Sequence, residues 1–195
     1  MLEILAQVVG EIANQYLIGF LILFVFIHKI REDSIGLIYL LFFTTIYNAV
    51  LKEVFKMPLP ETCPSTSYGF PSGHTNFYSI LCIWIFISYK SKYIKTLSIL
   101  VFCLAEWRIV YLGYHYLRDV LLTPLFALTV TYLYKKFVSD FSDYKKLVIF
   151  AVVNALLIMT LIWLTGYWSL PPFYAYGLSV IAPVAKRLVL RFRPT

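Results

Sequence analysis

The chain is a succession of long apolar runs cut by short charged connections. Residues 147–165 (LVIFAVVNALLIMTLIWLT) form an unbroken stretch of 19 without a charged side chain. A bilayer crossing needs about 20 mostly apolar residues, so this run has the length of a membrane helix. Comparable runs lie at 12–28, 34–51, 74–89, 94–113 and 119–134. A water-soluble domain of 195 residues has no core large enough to hide them all. Composition agrees: 61% of residues are hydrophobic and 14% charged, against about 45–50% and about 25% in soluble domains. The expected fold is therefore all-α, a polytopic membrane protein with a six-helix transmembrane core.

The borders of these runs carry local signals. Lys29 and Arg31 close the first, and Glu32 with Asp33 opens the second. Residues 52–73 are rich in Pro, Ser and Gly and read as a loop. Pro124 is expected to kink the fifth span. Residues 173–190 read either as a seventh, weaker span or as a segment lying along the surface. Residues 1–11 read as an amphipathic leader helix, and with no basic residue before Lys29 the N-terminus does not read as a cleaved signal peptide. There is no internal repeat, so residues 1–195 read as a single domain whose motif region is 52–119, followed by a C-terminal segment and basic tail at 173–195.

The net charge of +7 does not indicate nucleic acid once its distribution is followed. Lys29, Arg31, Lys90, Lys92, Lys95, Lys135, Lys136, Lys145 and Lys146 all fall in connections that share one face of a six-span bundle. A seventh span would add Lys186, Arg187, Arg191 and Arg193 to that face. Basic residues mark the cytoplasmic side. The loops at 52–73 and 114–118 then face outward, the arrangement expected of a protein in a prokaryotic inner membrane with its site toward the periplasm.

That outward face holds few charges but many reactive types. Pro71-Ser72-Gly73-His74 stands at the entrance to the third span, and His115 precedes Asp119 by one helical turn. A carboxylate at that spacing accepts the proton of one imidazole nitrogen and frees the other as nucleophile or base. Lys52, Arg108 and the amides that open the third span supply positive potential. These are the parts of a phosphoryl-transfer site with a covalent phosphohistidine: one histidine attacks phosphorus and the other protonates the leaving oxygen. No metal or other cofactor is required. Three cysteines and three histidines, without CxxC spacing, offer no zinc site, and no glycine-rich nucleotide cradle occurs. The plainer readings are a snorkelling Lys52, an ion pair between Glu106 and Arg108, and interfacial roles for Arg118, Tyr68, Tyr111 and Tyr114.

Together these residues resemble the type 2 phosphatidic acid phosphatase superfamily, whose motifs are K-x6-R-P, P-S-G-H and S-R-x5-H-x3-D. Residues 71–74 match the second motif, and His115 with Asp119 matches the end of the third. The resemblance covers residues 35–135. It implies that His115 attacks, Asp119 orients it and His74 protonates the leaving group. It further implies that Lys52, Ser72, Gly73 and Arg108 hold the phosphoryl oxygens. Two positions depart from the motifs. Leu59 occupies the arginine position of the first, where Lys56 is the nearest substitute. In the third, Trp107-Arg108 replaces Ser-Arg, and six residues rather than five separate Arg108 from His115. One extra residue turns a helical side chain by about 100°, so Arg108 reaches the site only if a bulge or a break at Gly113 absorbs the turn. A second match, Lys186 to Pro194, lies in the tail; behind a seventh span it sits on the cytoplasmic face, away from the histidines.

The expected function is metal-independent hydrolysis of a lipid phosphate or isoprenoid diphosphate. The resemblance implies substrates such as undecaprenyl or dolichyl diphosphate, phosphatidylglycerol phosphate, phosphatidic acid and lipid A phosphate, without choosing among them. The expected partners are that lipid substrate and the bilayer. Two other readings stand beside it: a phosphotransferase using the same phosphohistidine, and a catalytically degenerate membrane lipid-binding protein, suggested by Leu59 and the shifted Arg108.

Overall fold

The structure, a computed structural model, describes residues 2, 6, 32–63, 65, 67–137 and 144–166. The first expected span, most of the leader helix, the 173–190 segment and the Lys186–Pro194 motif lie outside the described residues. Every regular element among the described residues is helical: α1 (Glu32–Phe55), α2 (Gly73–Ser88), α3 (Lys92–Tyr111), α4 (Leu117–Phe137) and α5 (Tyr144–Thr165). They correspond in order to the second through sixth apolar runs. A lone antiparallel bridge joins Pro58 and Tyr68 within the long loop.

Helix ends follow local chemistry. Ser72 caps α2, its hydroxyl accepting the Thr75 N–H at 3.3 Å. α3 stops in a Schellman arrangement: the Gly113 N–H reaches the Val110 carbonyl and the Tyr114 N–H the Ile109 carbonyl, both at 3.0 Å. Gly113 takes φ of 69°, which glycine adopts without a Cβ penalty. α4 continues through Pro124 as one helix.

α2 is the central element. It packs against α1, α3 and α4, while α5 lies on α1. The end of α1, the start of α2, the end of α3 and the start of α4 gather at one pole, where Lys52, His74, Arg108 and His115 line one cavity. The opposite pole is apolar, with Leu40, Ile80, Trp84, Ala127, Val130, Tyr134 and Phe150 forming its core. The first pole is polar inside: Asn48, Ser72, Thr75, Asn76, Glu106, His115, Asp119 and Thr123 are all buried.

Many large apolar side chains point outward instead, among them Leu97, Leu121, Leu125, Met159 and Trp163. No helix among the described residues is long and apolar enough to cross a membrane. This departs from the expectation of complete apolar spans. In α1 to α4, outward apolar residues stand beside buried Thr, Asn, Glu and Asp that serve the polar pole.

Candidate active site

A cavity of about 600 Å³ opens at the polar pole. Its wall includes Lys52 from the last turn of α1, Gly73 and His74 from the first turn of α2, Arg108 from the last turn of α3, and His115 from the α3–α4 connection. Residues 63 positions apart in sequence, Lys52 to His115, thus share one wall because four helix ends converge.

His115 is the best-buried of the two histidines, with 8% of its surface exposed. Its Nδ1 faces the Asp119 Oδ2 at 3.7 Å. That separation is longer than a hydrogen bond, and Nδ1 has no hydrogen-bond partner. With a neutral imidazole the approach is a long polar contact rather than an ion pair. Because Nδ1 is turned to Asp119, Nε2 is the nitrogen left for chemistry in the cavity.

Asp119 is fully buried and held from several sides. Its Oδ2 accepts the Tyr116 N–H at 3.2 Å, the reach-back of an N3 acid onto the start of its own helix. Its Oδ1 accepts the Arg118 Nε at 3.4 Å. Arg118 itself is exposed and lies over the Tyr116 ring, so its charge meets the back of the carboxylate rather than the cavity. Gly69 closes the remaining side: a Cβ there would sit 3.1 Å from Asp119 Oδ2 and 3.1 Å from the Pro58 carbonyl. The long loop therefore presses its backbone against the acid.

The electrostatics favour a neutral His115. Burial lowers its pKa from the ordinary 6.5 to about 4, and the Lys52 cation adds to this while Asp119 opposes it. Burial also lowers the pKa of Lys52, against the pull of Asp119.

Arg108 reaches the cavity despite its extra residue. The helix ends three residues beyond it, and the left-handed Gly113 turns the chain before His115, which absorbs the added rotation. Its Nε donates to the Ala6 carbonyl at 2.9 Å, and its guanidinium lies 5.9 Å from the centre of the Tyr114 ring. Among the described residues Arg108 makes no ion pair with Glu106, whose Oε2 accepts the Thr75 hydroxyl. Leu59, at the departed arginine position, lines the same cavity.

Two expected phosphate-binding residues are placed elsewhere. Lys56 follows the end of α1 with φ of 49°, is exposed and does not line the cavity. Ser72 is fully buried, with its hydroxyl spent on the Thr75 N–H and its own N–H on the Thr123 hydroxyl. Sequence reading missed Asn48, Cys63, Ser65, Ser67 and Tyr114, which also line the cavity. Asn48 carried a signal: it lies one turn before Lys52 on a mostly apolar helix. No three His, Cys, Asp or Glu side chains among the described residues come together as a metal-binding group.

The likenesses to known proteins fall on this same region. The family model described as the PAP2 superfamily matches residues 33–143, more than half of the chain. No protein of curated function matches the sequence. Among solved structures, the fold matches the first transmembrane PAP2-type phosphatidylglycerolphosphate phosphatase from Bacillus subtilis at TM-score 0.54 and 26% identity, covering 70% of this chain and 76% of that one. The matched segment contains every helix end that builds the cavity wall, and on that ground the chain belongs to the PAP2 superfamily.

Proposed function

We propose that the protein hydrolyses the phosphate of a membrane lipid through a phosphohistidine formed on His115. Its class, a lipid phosphatase, follows from the family and from the phosphatase whose fold it shares. The observation that carries the mechanism is one cavity wall bearing two histidines and two cations, with a buried carboxylate behind one histidine.

Lys52, Arg108 and the backbone at Gly73 hold the phosphoryl oxygens. His115 Nε2 attacks phosphorus as the P–O bond to the lipid breaks. Asp119 fixes the imidazole and offsets the charge that develops on it. His74 gives its proton to the departing oxygen; burial, Arg108 and Lys52 lower its pKa, and the negative charge of bound phosphate opposes that lowering. Water then attacks phosphorus as the P–N bond breaks, its electron pair returning to His115 Nε2; His74 takes the water proton, and inorganic phosphate leaves with His115 restored to neutrality. The low pKa of His115 suits this role, since the attacking nitrogen must carry a lone pair.

The lipid tail stays in the bilayer beside the cavity. Support comes from the outward apolar side chains of α3, α4 and α5 and from the transmembrane character of the Bacillus subtilis neighbour. Phosphatidylglycerol phosphate is the first substrate to test, on the strength of that neighbour.

The test is phosphate release by the purified protein from phosphatidylglycerol phosphate, phosphatidic acid and an isoprenoid diphosphate in mixed micelles, with EDTA present. Release from at least one lipid in EDTA is expected. Release that vanishes in EDTA and returns with a divalent metal would overturn the metal-free mechanism. Absence of release from every lipid would favour a binding protein, and phosphorylated acceptor alcohol without free phosphate would favour a transferase.

A further inference from the structure

The two halves of the site are joined by a buried hydroxyl that belongs to neither sequence motif. Thr123 lies one turn after Asp119 on α4 and is fully buried. Its hydroxyl donates to the Asp119 carbonyl and accepts the Ser72 N–H at 3.0 Å. Donation to the carbonyl four residues back is ordinary for a helical threonine. Thr129 and Thr131 on the same helix do so too, at 2.9 and 2.7 Å, yet among the described residues neither receives an N–H from another element. The second bond therefore distinguishes Thr123. It spans 51 residues of sequence and connects the turn that carries His74 to the helix that carries Asp119.

The rest of the Pro71–Thr75 turn is anchored from two further helices. Asn48 Nδ2 on α1 donates to the Pro71 carbonyl at 3.2 Å, and Thr75 donates its hydroxyl to Glu106 on α3. These bonds fix the turn against α1 and α3, the walls that present Lys52 and Arg108. Thr123 fixes it against α4, where the nucleophile is oriented. With Ser72 and Thr123 both sealed from solvent, no water stands ready to replace the bond.

We propose that Thr123 is a positioning residue that holds His74 in register with the His115–Asp119 pair, so that the acid and the nucleophile address the same phosphorus. This rests on the phosphohistidine reading of the site. In-line transfer is sensitive to such register, because a shift of about 1 Å in a catalytic group costs on the order of a hundredfold in rate.

The test compares Thr123→Val, Thr123→Ser and Thr123→Ala with wild type by kcat and KM for phosphate release from phosphatidylglycerol phosphate in micelles. Thr123→Val keeps the shape and removes both bonds, whereas Thr123→Ser keeps the hydroxyl. The expected result is a kcat reduced at least about tenfold in Thr123→Val with KM within about twofold, and recovery of most of the kcat in Thr123→Ser. Wild-type kcat in Thr123→Val overturns the proposal. Equal losses in the Ser and Val variants also overturn it, since packing of the methyl group would then be responsible. Should Thr123→Val fail to fold, the Ser and Ala pair decides: an active Ser and a slow Ala variant support the proposal, and equal rates overturn it. His115→Ala, run alongside, separates the two ideas. An inactive His115→Ala with a fast Thr123→Val defeats positioning alone, and a fully active His115→Ala defeats the mechanism on which it rests.

Discussion

His115 and Lys52 set a pH dependence that can be worked out in sign. A histidine whose pKa is lowered stays neutral below the usual 6.5, and its nucleophilic form is lost only as pH falls toward about 4. The acid limb of kcat should therefore lie well below pH 6.5. Lys52→Met removes a cation that disfavours the imidazolium, so the limb should move to higher pH, with KM raised through the lost phosphate contact. A limb that stays in place in Lys52→Met would disconnect Lys52 from His115. Leu59→Arg should lower KM, because Leu59 lines the cavity and a guanidinium there adds a bidentate partner for phosphate; an unchanged KM would mean that the position no longer faces phosphorus. His115 and Asp119 stood out by their spacing of one helical turn and His74 by the Pro-Ser-Gly-His motif, and the structure brings the three to one pole. Thr123 did not stand out, since a threonine in an apolar run looks like any other until its hydroxyl is seen to take the Ser72 N–H.

At the scale of elements, the site depends on how α3 ends. Gly113 holds a left-handed conformation, and a Cβ there would lie 2.4 Å from the Thr62 hydroxyl oxygen. Thr62 also donates to the Gly113 carbonyl at 2.8 Å, tying the long loop to this turn. Gly113→Ala should cost about 1–2 kcal/mol from backbone conformation alone, with the clash added. Thermal unfolding in detergent should show a lower midpoint, and kcat should fall as His115 is displaced; an unchanged midpoint and rate would contradict this account of the turn. The sequence placed all five described helices to within a few residues, because caps, charges and apolar runs mark their ends. It could not settle whether Arg108 reached the cavity. That depended on where the helix stopped relative to Gly113, a backbone detail that composition does not encode. Lys56 shows the converse: one turn beyond Lys52 it looked like a substitute cation, but α1 ends at Phe55 and leaves it exposed.

At the scale of the molecule, polarity is divided between the two poles and between inside and outside. Trp163 is 82% exposed and Met159 66%, a surface suited to lipid rather than water. The basic residues at 90–95 belong to the pole opposite the cavity. Placed in a bilayer, that pole should face the cytoplasm. In a background lacking Cys63, Cys82 and Cys103, single cysteines at 90, 92 or 95 should react with a membrane-impermeant maleimide only after the cells are permeabilised. Labelling of intact cells would reverse the orientation. The apolar total was readable from composition. What composition concealed is that the helices at the polar pole turn Thr, Asn, Glu or Asp inward.

Whether His115 forms the bond to phosphorus is read from the rate of phosphate release by His115→Ala against wild type on the best lipid substrate. A loss of at least about a thousandfold in kcat is expected, as when a covalent nucleophile is removed, with the variant still folded. Release at the wild-type rate by folded His115→Ala would contradict it.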